Sequence, residues 1–79
     1  MSVHQYGGSL IELSILSDQE NDGWVVEVWD LTPDTGGELM HFHAAAGGRL
    51  TIDLLGSQHE VEFVLWVIGA VRGELGGYR

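Results

Sequence analysis

Cysteine is absent from the 79 residues, which rules out disulfides and thiolate zinc sites together. Lysine is absent too, and three arginines stand against twelve acids, for a formal net charge of −9. A field of that sign repels a phosphate backbone and an anionic lipid surface, so neither nucleic acid nor a membrane is expected as a direct partner. Long hydrophobic runs are missing. The longest, VLWVIGAV at 64–71, falls far short of the ~20 residues that span a bilayer. Polar residues and glycine follow Met1 where a secretory leader would have a basic and then an apolar segment, so a cytoplasmic protein is expected. The Gly-Gly pairs at 7–8, 36–37, 47–48 and 76–77 lack the spacing and the lysine of a nucleotide cradle. No serine has a credible base beside it. Neither catalysis nor an organic cofactor is therefore expected.

A chain of this length forms one domain, 1–79, and hides only about 60–65% of the surface its unfolded form exposes. Such a core supplies roughly 3–5 kcal/mol unaided. With disulfides excluded, the remaining reinforcements are a metal held by histidine and carboxylates, or a partner chain.

The apolar pattern predicts four strands and a helix. LIELSIL at 10–16 alternates Ile11, Leu13 and Ile15 with Glu12 and Ser14, the period-2 signature of a half-buried strand. WVVEVWDL at 24–31 continues it after the polar loop SDQENDG. With Glu27 turned to water, Val26 and Val28 face the core and Trp29 faces out. After the turn TPDTGG, the strand at 38–44 places Met40 and Phe42 inward and His41 and His43 outward, and 49–55 adds a fourth strand. Ser57 and Glu60 form a capping box, which starts a helix at about 58 that ends near 75 with Gly76 as a left-handed terminator. The expected fold is α+β, an antiparallel four-stranded meander (β-β-β-β-α) with one C-terminal helix on one face.

Val61, Val64, Leu65, Ile68, Val71 and Leu75 recur at helical spacing and are expected to cover the sheet. Phe63, Val67 and Ala70 widen the apolar arc beyond what one sheet can bury, while Trp66, Gly69 and Gly73 occupy the remaining wedge. A homodimer through Phe63, Trp66, Val67, Gly69, Ala70 and Gly73 follows as an expectation.

Two short stretches have family echoes. Asp18, Glu20, Asp22 and Gly23 resemble the opening of an EF-hand calcium loop, but the twelfth position is Trp29 where that loop needs a bidentate Glu. The triplet at 34–36 resembles the aspartic-protease signature, yet it sits in a turn after Thr32 and Pro33 instead of an apolar strand.

More informative is the predicted outward face. Glu27, Trp29, Leu39, His41, His43 and Asp53 share it, mixing acids with aromatic and aliphatic groups as partner-covered surfaces do. His41 and His43 stand one residue apart on one strand and can converge on a metal, with an acid across the sheet as third ligand. The acidity is lopsided. Residues 1–48 carry eight acids and no Lys or Arg, whereas residues 49–79 carry four acids and three arginines. Concentrated negative potential steers a basic partner. The leading expectation is a non-enzymatic acidic interaction module, of the kind that serves as an inhibitor, immunity protein or antitoxin. A metal- or ligand-binding protein using His41 and His43 is the second reading, and a subunit of a larger assembly the third.

Overall fold

The computed structural model describes residues 1–34, 36–56 and 58–77. Five strands precede one helix: β1 (Ser2–Tyr6), β2 (Ser9–Asp18), β3 (Gly23–Asp30), β4 (Gly37–Ala45), β5 (Leu50–Leu54) and α1 (Val61–Gly76). Each strand pairs antiparallel with the next, and the sheet runs in chain order from β1 to β5. The α+β class and the single helix agree with the sequence pattern. The strand count does not, because β1 was not foreseen.

β1 carries Ser2, His4 and Tyr6 on its inward side, so it shows no aliphatic stripe. Its signal lies in the turn. Gly7 and Gly8 join Tyr6 to its partner Ser9, and Gly7 adopts φ 58°, the position at which a type II′ hairpin demands glycine. The other turns are held locally. Asp18 Oδ1 accepts a bond from the Asn21 backbone amide at 3.2 Å, and Asp30 Oδ1 accepts from the Thr32 amide at 2.9 Å and its hydroxyl at 2.6 Å.

One face of the sheet is covered by α1 except at β5, where Ile52 and Leu54 stay 37% and 54% exposed. Ile11, Leu13, Val26, Val28, Met40 and Phe42 from the strands meet Val67, Val71 and Leu75 from the helix, and no polar side chain is buried among the described residues. The buried line of α1 therefore differs from the expected one. Val61 and Leu65 are 69% and 57% exposed, while Val67, expected at a dimer contact, lies in the core. Phe63, Trp66 and Ala70, assigned to the same contact, pack against the core's edge. Only Gly69 and Gly73 of that set face solvent.

β1 explains this roll of roughly a quarter-turn. Its Tyr6 ring lies 5.0 Å from Phe63 and 4.9 Å from Trp66, and His4 meets Trp66 edge-on at 6.0 Å. The helix side that lacked a partner in a four-stranded sheet thus finds one. Each ring pair adds about 0.5–1.5 kcal/mol beyond area burial. Replacing Tyr6 by leucine, which keeps apolar area but removes two pairs, should cost about 1–2 kcal/mol in a urea titration; no loss would show that the ring cluster contributes nothing.

The helix ends also differ from expectation. α1 begins at Val61 with Glu60 as N-cap and no side-chain capping bond; Ser57, the expected cap, lies outside the described residues. Gly76 is still helical, and Gly77 caps the helix at φ −78°, so Gly76 is not the left-handed terminator expected. Among the described residues no helix is long and apolar enough to cross a membrane.

Candidate functional site

The sheet face opposite α1 is uncovered, and strand pairing fixes what stands on it. Ser14, Glu27, His41 and Asp53 form one row across β2 to β5, and Leu16, Val25, His43 and Thr51 form the next. Glu12 pairs with Trp29 on the other side of Glu27. Trp29 is therefore on the open face as its frame implies, half-buried, with its indole Nε1 donating to Glu27 Oε1 at 3.2 Å.

Leu39 breaks the expected frame. Register slips between Val28 and Trp29, since Val28 pairs with Met40 but Trp29 pairs with Glu38. A bulge of this kind inserts one residue and turns the following side chain to the other face. Leu39 packs against the core, and Glu38 takes the open-face place it was expected to fill. Nothing in the local sequence marks the bulge beyond the glycine pair at 36–37. Glu38 was accordingly missed as a member of this face, and Asp18 was missed because β2 runs on to residue 18; Glu12 stands on the side opposite Ile11 and Leu13, as its alternation implies.

The carboxylates make the surface negative. Glu12, Asp18, Glu27, Glu38 and Asp53 all point to this side. No strand contains Lys or Arg; among the described residues Arg49 lies in the β4–β5 turn and Arg72 on α1. Interleaved with the acids are Val3, Leu10 and Leu16, each about half exposed at 52%, 51% and 47%.

At the β4–β5 side the two histidines and one acid converge. Asp53 Oδ2 lies 3.1 Å from His41 Nε2 and 3.5 Å from His43 Nε2. The imidazoles meet edge-to-face with centroids 5.3 Å apart. One ligating atom from each of His41, His43 and Asp53 lies within 4.8 Å of the others. Behind them, His41 Nδ1 is 3.9 Å from Glu38 Oε2, and His43 Nδ1 is 3.9 Å from Asp18 Oδ2. That Glu38 oxygen is buried with no hydrogen-bond partner among the described residues.

The other motifs do not gather a site. Asp18 pairs with Gly23 across a hairpin, and its carboxylate is held by Asn21, so the 18–23 stretch closes a turn instead of wrapping an ion. Asp34 is exposed in a turn; Thr35 of the same triplet lies outside the described residues. A cleft of about 780 Å³ opens between the β2–β3 and β4–β5 turns and the end of α1, with Arg72 and Trp24 in its lining. It contains no histidine. Compared with known proteins, the chain matches no family model, no curated protein and no solved structure.

Proposed function

We propose that the chain is an acidic protein-interaction module that receives a basic partner protein on its open sheet face. The observation that carries this reading is the composition of that face: five carboxylates, two histidines, one half-buried tryptophan, scattered aliphatic groups and no Lys or Arg on any strand. Carboxylates set on a rigid sheet lose little freedom on binding, and clustered negative potential speeds encounter with a positive surface. Acids so arranged fit a cleft shaped for phosphates, which suits an inhibitor, immunity or antitoxin role in the cytoplasm. That assignment to a class rests on analogy of charge and size.

The test is capture of the partner with chelator present, at rising salt. Screening shortens from about 10 Å at 0.1 M to about 3 Å at 1 M, so retention should fall steeply. The double variant Glu12→Lys with Glu27→Lys should abolish capture, Glu62→Lys on the helix should not, and Trp29→Ala should weaken binding by about 30-fold or more. Capture insensitive to salt and to both face variants would overturn the reading. Pairing with a second copy, part of the same proposal, is left the outer surface of α1, at Val61, Leu65, Gly69 and Gly73. Light scattering should find a dimer, and a monomer at high micromolar concentration would remove it.

A further inference from the structure

We propose that His41, His43 and Asp53 form a zinc(II) site with three protein ligands and a fourth coordination position facing out of the sheet. This assignment does not rest on the partner reading. It rests on how three side chains from two strands meet at one point.

Zinc held tetrahedrally at its usual 2.0–2.2 Å from nitrogen and oxygen sets neighbouring ligand atoms about 3.3 Å apart. Two of the three edges already have that length, 3.1 Å from His41 Nε2 to Asp53 Oδ2 and 3.5 Å from His43 Nε2 to the same oxygen. The widest separation, no more than 4.8 Å, closes by about 1.5 Å through side-chain rotation, which half-exposed residues accommodate. Backbone geometry holds the rest. His41 and Asp53 are directly paired across β4 and β5, and His43 follows on the same side of the same strand.

A second observation concerns the far ring nitrogens. Each imidazole turns Nε2 toward Asp53 and Nδ1 toward another carboxylate, Glu38 for His41 and Asp18 for His43, at 3.9 Å in both cases. Zinc-bound histidines characteristically donate their other ring N–H to such a group, which fixes the tautomer and leaves the ligating lone pair aimed at the metal. The buried Oε2 of Glu38 makes no hydrogen bond among the described residues, and a side-chain rotation closing about 1 Å of its 3.9 Å separation from His41 Nδ1 would let it accept that proton. Two imidazoles with one carboxylate select zinc over the hard cations magnesium and calcium, which prefer all-oxygen sets.

Calorimetric titration of the chelator-treated full chain with zinc chloride, with melting curves in parallel, tests the assignment. Expected are one zinc per chain and a rise in Tm of about 10 °C or more at hundred-fold excess over Kd, with no shift from magnesium or calcium. His43→Ala and Asp53→Asn should abolish the rise while leaving the metal-free Tm close to that of the parent. Glu38→Gln should keep the stoichiometry and weaken affinity by about 10-fold or more. Absence of saturable binding, or undiminished binding by His43→Ala, would overturn the site. Because partner capture is measured with chelator present, either proposal can fail without the other.

Discussion

Replacing Phe42 by alanine should leave a large part of the population, about half or more, unfolded at room temperature. Phe42 is 1% exposed and stands on the inner strand β4, paired with Val26 and Ile52 on its two sides. Deleting a buried phenylalanine side chain costs about 3–5 kcal/mol, because the cavity adds to the lost transfer energy. The whole core of a domain this small supplies roughly the same. The two nearly cancel, so far-UV circular dichroism without denaturant should already report a mixed or unfolded population. Phe42→Leu, which keeps most of the volume, should cost less than about 1.5 kcal/mol and stay folded. If the alanine variant lost under about 1 kcal/mol, Phe42 would not be the centre of the core.

The second large effect is expected at Gly23, and it comes from backbone proximity instead of apolar burial. A Cβ at this position would run into the Ala44 carbonyl oxygen and press on Ala45 Cα. Neither is a flexible side-chain end that can move aside. Gly23→Ala should therefore cost about 2–3 kcal/mol, the upper part of the overpacking range. Gly37→Ala, at the far end of the same strand pair, meets nothing within 4 Å and should be neutral or slightly stabilising. The contrast is measurable by paired urea titrations. A functional readout accompanies it: Asp18 pairs with Gly23 on one side, and His43 lies two rungs away opposite Val25. A forced shift there separates His43 from Asp18 and should reduce zinc affinity as well.

The legible parts of this fold were those where apolar and polar residues alternate without interruption. Ile11 and Leu13, Val26 and Val28, and Met40 and Phe42 were read to the correct face because Glu12, Glu27 and the two histidines mark the other. β1 was illegible for the opposite reason. Its inward residues are His4 and Tyr6, whose burial against Trp66 and Phe63 depends on a helix more than fifty positions away. Without that strand, Phe63 and Trp66 appeared to need a second chain, and the expected helix stripe was right at Val71 and Leu75 but wrong at Val61 and Leu65.

At the candidate site, the pairing of His41 with His43 and the acid opposite them were visible in the sequence, since strand periodicity alone places them. Glu38 and Asp18 behind the imidazoles were not. Glu38 reaches its position only through the bulge at Val28 and Trp29, and a slip of one residue reverses which side chain faces out. Asp18 does so because β2 runs to residue 18, two beyond where its apolar alternation stops. Local pattern ends there, while the hydrogen-bonded ladder continues.

The order of elements sets a problem during synthesis. All five strands emerge from the ribosome before α1, so Ile11, Leu13, Val26, Val28, Met40 and Phe42 have no cover while the last segment is still being made. Loop closure between neighbours in a meander is quick, so a nascent sheet with one bare greasy side is the natural transient, and such species are prone to clump. Each nascent chain already carries eight of its twelve acids by residue 48, and repulsion between like charges opposes such clumping before Val67, Val71 and Leu75 arrive.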